Sequence, residues 1–312
     1  MEHYFERLRE QASSLPPMPT AVVHPCDAAS LGGAIDAAEK GLLTPILVGP
    51  ERKLRAVAEE EELDLSPYKM VPVKHSHHAA EKGVEIVRAG EANVLMKGSL
   101  HTDELMHEVM QKHTGLRTER RVSHVYVMQV PTYPRALLIT DAAINIYPTL
   151  EDKQDICQNA IDLAHALGIE TPKVGILSAV ETVTPKLPST VDAAALCKMA
   201  DRGQITGGLL DGPLAFDNAI NKAAAAAKHI RSEVAGEVDI MVAPDLEAGN
   251  MIAKQLTFLA NAEAAGLVLG ARVPIILTSR ADSVKARLAS CAVAAIFAAW
   301  KQGVAEKAAA DA

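Results

Sequence analysis

Four times in roughly its first hundred residues the chain runs from a short apolar stretch into a longer helical pattern, and this alternation restricts the fold more than any other feature. Ala21-Val22-Val23-His24 precedes a helical run over 28–40, and Pro45-Ile46-Leu47-Val48-Gly49 precedes a charged one over 51–62. Met70-Val71-Pro72-Val73 leads to 78–89, and Asn93-Val94-Leu95-Met96-Lys97 to 102–112. Strands interleaved with helices imply a mainly parallel sheet covered on both faces.

The pattern then breaks. The apolar runs over 123–130 and 136–140 are separated only by a Pro-containing turn, Pro131-Thr132-Tyr133-Pro134, which leaves no room for a helix. Such a pair predicts an antiparallel hairpin. Alternation resumes with a helix over 151–167, a strand over 173–177, a helix over 190–201, a strand over 239–242 and a helix over 246–259. The strands at 267–269 and 273–277 follow. At 312 residues the chain exceeds what one core comfortably supports. We therefore expect an α/β protein of two three-layer domains with mainly parallel sheets and an interdomain cleft, where a ligand would bind. The first domain is read as 1–140 joined by the C-terminal helix 283–312, and the second as 141–282. That last helix carries a face of Ala286, Ala289, Ala292, Ala294, Ala295, Ala298 and Ala299, which suits close packing against the first domain or across a dimer seam. The sequence leaves both open.

Aromatic residues make up 3% of the chain and the net charge is −8, so neither stacking platforms nor a basic face is available for nucleic acid. Cys26, Cys157, Cys197 and Cys291 are widely spaced and show no zinc or disulfide pattern. The N-terminus begins with charge rather than a signal-peptide core, and the uncharged stretch 288–300 is short of the roughly 20 residues a membrane span needs. A cytoplasmic location with no membrane partner is the expectation.

Five polar segments stand at or near the ends of apolar runs. The first is Lys97-Gly98-Ser99, where Ser99 or Thr102 could instead cap the next helix. Thr140-Asp141-Ala142-Ala143-Ile144-Asn145 places an acid and an amide four apart. Asp211-Gly212-Pro213 with Asp217 reads as a Gly-Pro turn whose second acid could cap the Ala-rich helix after it. Asp245 to Asn250 opens another helix, with Asp245 as its cap. Last, Val273 to Leu277 runs into Thr278-Ser279-Arg280-Ala281-Asp282-Ser283. Backbone N–H groups and the positive dipole end at a helix N-terminus make that turn an anion pocket, suited to phosphate or acyl phosphate. Parallel strands of one sheet open such turns onto one edge. No P-loop, dinucleotide fingerprint or nucleophile elbow occurs. The trio His75, His77 and His78 lacks metal-ligand context, and His77 and His78 read as solvated residues at a helix start.

These segments, in this order from about Ala21 to Trp300, resemble the phosphate acetyltransferase and phosphate butyryltransferase family. The resemblance implies an isocitrate dehydrogenase-like pair of α/β domains, a homodimer, and reversible transfer of a short acyl group, acetyl or butyryl, between coenzyme A and inorganic phosphate. It implies no metal and no permanently bound cofactor; coenzyme A enters as a co-substrate and acyl phosphate as the other. Carried over residue by residue, it assigns Ser279 to the thiol and carbonyl and Arg280 to the acyl phosphate charge. Substrate contacts fall to Lys97, Gly98, Ser99, Thr140, Asp141, Asn145, Asp211, Gly212, Asn250 and Thr278. Acetyl-type members carry an Asp seven residues after the Ser, where this chain has Ala286. Asp282 is the nearest carboxylate and is either a substitute base or a helix cap, the latter with Ser279 in a capping box. Arg117, Arg120, Arg121 and Arg135 are candidate first-domain anion ligands without a motif. Two other readings stay open: a noncatalytic acyl-coenzyme A or acyl phosphate binding protein, and a dehydrogenase of the related fold.

Overall fold

The computed structural model describes residues 3–277 and 282–310. After a helix α1 (Tyr4–Ser13), the expected alternation appears: β1 (Met18–Val23), α2 (Ala28–Glu39), β2 (Leu43–Gly49), α3 (Glu51–Glu60), β3 (Lys69–Pro72), α4 (Ser76–Arg88), β4 (Val94–Lys97) and α5 (Thr102–Val109). Local chemistry starts these helices. Asp27 caps α2 by accepting from Ser30 N at 2.7 Å, and His75 Nδ1 caps α4 by accepting from His78 N at 3.2 Å. At α5 the Glu104 carboxylate reaches back to His101 N at 3.1 Å, so neither Ser99 nor Thr102 is the cap.

The chain continues with β5 (Ser123–Gln129), β6 (Ala136–Thr140), α6 (Leu150–Ala166), β7 (Lys173–Leu177), α7 (Pro188–Asp201), β8 (Leu209–Leu214), α8 (Phe216–Ile220), α9 (Lys222–Ala227), β9 (Ile240–Val242) and α10 (Leu246–Leu259). It ends with β10 (Glu263–Leu269), β11 (Ile275–Ile276) and α11 (Val284–Ala310).

Among the described residues two compact units result: 5–120 with 265–277 and 282–310, and 121–264 with 3–4. In the first, the strand order is β3-β2-β1-β4-β11-β10, parallel except for β10 against β11. In the second it is β5-β6-β9-β7-β8, parallel except for the β5/β6 hairpin. The fold class and the hairpin agree with the sequence reading. The boundaries do not, because hydrogen bonding rather than chain order assigns strands. β6 pairs with β9, which takes the whole hairpin into the second unit, and β11 pairs with β4 through Ile276 and Met96, which takes the strand before the Ser-Arg turn into the first.

β8 was expected as a turn. Asp, Gly and Pro are poor strand formers, but β8 pairs only with β7, and an edge strand tolerates a residue without an N–H. Asp217 does not cap the Ala-rich helix α9; Asn221 does, accepting from Ala223 N at 2.9 Å and Ala224 N at 3.1 Å.

Each unit has its own core. Ala21, Val22 and Val23 are fully buried in β1, as are Val94, Leu95 and Met96 in β4. Burying aliphatic side chains of this size contributes about 1.5–3 kcal/mol each. Met128, Leu137, Ile139, Leu177, Leu214, Val238 and Met241 form the second core. The small-residue face of α11 packs on α2 and on β1, β4 and β11 of the first unit, and Arg287 Nη1 donates to Ala29 O at 2.6 Å. This settles the alternative the sequence left open. At 24 residues, Val284–Lys307 is long and apolar enough to cross a membrane, beyond the length read from the sequence, yet 61% of its most apolar window is buried as in a core helix.

Candidate active site

In the first unit, the carboxyl ends of β1, β4 and β11 open onto one edge because the three strands are parallel neighbours. Here Lys97-Gly98-Ser99 turns back across the end of β1. Gly98 N donates to Val23 O at 2.8 Å and Ser99 N to His24 O at 2.9 Å. The approach is so close that a Cβ on residue 98 would lie 2.4 Å from Val23 O and 2.5 Å from His24 O. Only glycine fits between these backbones.

Ser99 Oγ takes part in the same junction. It donates to His24 O at 2.8 Å, accepts from Cys26 N at 3.2 Å and lies 3.0 Å from His24 Nδ1. Its role is to hold β1's end in place. Lys97, buried at the end of β4, donates Nζ to Gly98 O and Leu100 O, both at 3.1 Å. An ammonium is thereby fixed beside the point where β11 leaves the sheet.

Thr278, Ser279, Arg280 and Ala281 lie outside the described residues. The chain is described to Leu277, one residue past the Ile276–Met96 pair and so level with Lys97, and again from Asp282. α11 begins at Val284, where Ser283 Oγ accepts from Ala286 N at 3.2 Å. Ser283 is therefore the cap, and the alternative role of Asp282 as the capping residue falls away. Ala286 sits in this first turn.

The second unit assembles the other predicted segments. Thr140 Oγ1 donates to His124 O at 2.9 Å and is fully buried. The Asp141 carboxylate is saturated: Oδ1 accepts from Ala143 N at 2.9 Å and Ile144 N at 3.0 Å, and Oδ2 from Asn145 N at 3.1 Å and Asn145 Nδ2 at 2.5 Å. Asn145 Nδ2 also reaches Val122 O at 2.9 Å, while its Oδ1 accepts from Arg121 Nε at 2.7 Å. Asp141 and Asn145 thus build a rigid turn whose outermost charged member is the half-exposed Arg121. Among the described residues no hydrogen bond engages the terminal nitrogens of Arg121. Antiparallel β5 begins where β6 ends, which is why residues 24 apart in sequence meet.

The helix α10 closes on this turn. Asp245 caps it as expected, accepting from Ala248 N at 2.9 Å, and Asn250 Nδ2 donates to Ala142 O at 3.0 Å. Gly249 permits the contact, since a Cβ there would stand 2.3 Å from Asp141 O. Asp211 and Gly212 stand three strands from β6, with Asp211 level with Ile139 in the register. They lie inside β8, where Asp211 Oδ1 accepts from Gly212 N at 2.9 Å and Gly212 packs against Ile176.

Burial governs the titratable groups. It pushes the Cys26 thiol up to about 11 against the Lys53 ammonium, so Cys26 is a protonated, weak nucleophile. It pushes His124 down to about 4, with Asp141 pulling the other way. Among the described residues, no group of three His, Cys, Asp or Glu is arranged to hold a metal ion.

Sequence reasoning passed over His24, which it placed only as the last residue of an apolar run. Its location at a strand's carboxyl end was the available signal. Of the four candidate arginines, Arg121 joins the Asp141–Asn145 turn, whereas Arg135 pairs with Asp239 at 3.0 Å and Glu237 at 3.2 Å.

Residues 74–295 match the family model described as Phosphate acetyl/butaryl transferase. The chain is 65% identical over 298 residues to the phosphate acetyltransferase of Rhizobium meliloti, covering 96% of this chain and 94% of that protein. It is 40% identical over 299 residues to the phosphate butyryltransferase of Clostridium beijerinckii, covering 96% and 99%. Among solved structures it resembles a branched-chain phosphotransacylase from Enterococcus faecalis V583, with a TM-score of 0.79 at 29% identity over 90% of this chain and 99% of that one.

Proposed function

The chain belongs to the phosphate acetyl/butyryl transferase family, and from that premise we propose that it moves a short acyl group, acetyl or butyryl, reversibly between coenzyme A and inorganic phosphate. It is an acyltransferase. The observation that carries the reading is the edge of the first unit, where β11 ends at Ile276 beside β4 and its buried Lys97, shortly before Ser279 and Arg280 in the sequence.

The chemistry asks for a thiolate, donors for the developing oxyanion and positive charge for the departing phosphate. Coenzyme A sulfur attacks the acyl phosphate carbonyl directly, and no enzyme nucleophile is required. Arg280 holds the phosphoryl oxygens, a task suited to a permanently charged planar fork, and Lys97 adds charge at the same edge. Ser279 faces the thiol and carbonyl. With Ser283 capping α11, Asp282 is the carboxylate candidate for the thiol proton nearest in sequence to Ser279. The saturated Asp141–Asn145 turn supports a second anion contact through Arg121.

A cytoplasmic homodimer fits this reading. The apolar side chains of Met251, Phe258 and Leu259 are 59%, 74% and 81% exposed on α10, more than an unpartnered helix ordinarily leaves in water.

The test is phosphate-dependent thiol release from acetyl-, butyryl- and longer acyl-coenzyme A by the purified chain. Turnover that peaks at two to four acyl carbons supports the proposal, and the peak decides between acetyl and butyryl. A purified chain that turns over none of these acyl-coenzyme A esters would refute the proposal.

A further inference from the structure

The mechanism above needs a group that takes the proton of the coenzyme A thiol, and the hydrogen-bond geometry at the end of β1 singles one out. Ser99 Oγ and His24 O are 2.8 Å apart. With the hydroxyl donating to that carbonyl, Ser99 Oγ accepts across the 3.0 Å from His24 Nδ1, and the tautomer assigned from this contact pattern carries its proton on Nδ1. In the neutral ring Nε2 is left with its lone pair. No hydrogen bond engages Nε2 among the described residues, and it is not among the buried unpartnered atoms, so it is open to a ligand.

The backbone holds this ring deliberately. His24 has φ +53°, the left-handed region that a residue with a Cβ enters only when its surroundings impose it. Val48 O accepts from its N–H at 2.7 Å, while its carbonyl accepts from Cys26 N at 2.8 Å and Ser99 N at 2.9 Å. His24 also stands on the edge that β11 opens onto. β1 and β11 flank β4, so their ends are two strand spacings, about 10 Å, apart, which an imidazole and an interposed sulfur span.

We infer that His24 is the general base of acyl transfer, with Ser99 as its positioning residue; the inference rests on the acyltransferase reading. As the thiol attacks, its S–H proton passes to His24 Nε2 while sulfur bonds to the acyl carbon. The carbon–oxygen bond to phosphate then breaks, phosphate leaves with the electron pair, and the imidazolium returns the proton to phosphate or water. In reverse, phosphate attacks acyl-coenzyme A and the imidazolium protonates the departing sulfur. The groups facing His24 are Lys53 from α3, Glu104 from α5 and Asp27 before α2. Burial and the Lys53 ammonium lower its pKa against the two acids, which keeps the ring in its base form at neutral pH.

The experiment is the pH profile of kcat/KM for His24→Asn, His24→Gly and Asp282→Asn beside the unaltered chain. Asn and Gly both tolerate φ near +53°, so the turn survives, and circular dichroism checks that it does. The unaltered chain should show an acid limb with an apparent pKa below 6.5. His24→Asn should lose that limb, with kcat down by about 10²-fold or more and KM little changed. Added imidazole should restore part of the turnover of His24→Gly. A folded His24→Asn that keeps kcat and the acid limb, or loss of the limb in Asp282→Asn alone, would overturn the inference while leaving the activity in place. An unaltered chain that releases no thiol from any acyl-coenzyme A would overturn both.

Discussion

Replacing Gly98 by Ala probes the junction on which the site depends. The new methyl carbon would stand 2.4 Å from Val23 O, 2.5 Å from His24 O and 2.6 Å from the His24 carbonyl carbon. Ordinary contacts between such atoms begin near 3.4 Å, so the turn must retreat from β1 by about 1 Å. All three obstacles are backbone and none can rotate aside. Overpacking of this kind costs about 1–3 kcal/mol, and the retreat also lengthens the 2.8 Å Ser99–His24 bond beyond hydrogen-bond range. Urea unfolding should therefore show a lower midpoint at unchanged slope, and kcat should fall with it. Gly32→Ala supplies the opposite sign. Gly32 lies within α2, and a methyl group there would meet nothing inside 4 Å, so the change should stabilise the helix by about 0.5–1 kcal/mol. Equal midpoints and full activity in Gly98→Ala would refute the close crossing of β4's turn over β1.

Arg280→Ala should lower kcat/KM by about two orders of magnitude, the scale of losing one charged transition-state stabiliser, as measured by thiol release. Cys26→Ala should keep near-normal turnover because its thiol is held protonated; strong loss would reopen a covalent mechanism. Asn145→Ala should raise the KM for phosphate and cost about 1–3 kcal/mol in urea unfolding, since Arg121 Nε and Asp141 Oδ2 each lose one of their partners. Hydrogen bonds from Lys173 and Lys222 depress Glu237 from 4.5 to about 2. A depressed acid stabilises the fold fully above its unfolded value and loses that contribution as pH falls through its folded one. Stability should therefore decline between about pH 4.5 and 2 in part through Glu237, and Glu237→Gln should flatten that decline in acid titrations followed by circular dichroism.

Hydrophobic periodicity and turn chemistry are local properties, and the sequence by itself determined what depends on them. The alternation from Ala21 onward, the hairpin around Pro131 and Pro134, and the Asp245 cap all follow from residues close in the chain. The segments at Lys97, Asp141 and Asn250 were legible as polar breaks for the same reason, each lying at or near the end of an apolar run. Tertiary structure alone decided which partners those segments acquired. Strand pairing put the hairpin with β9 and β11 with β4, which moved the domain boundary to Arg121. Edge position made a strand of Asp211-Gly212-Pro213, where local propensity argued for a turn. Contacts across 75 residues brought Ser99 to His24, and contacts across 24 gave Asn145 to Arg121. A hydrogen bond between distant strand ends depends on sheet order and register, and neither is written in the spacing of any one segment.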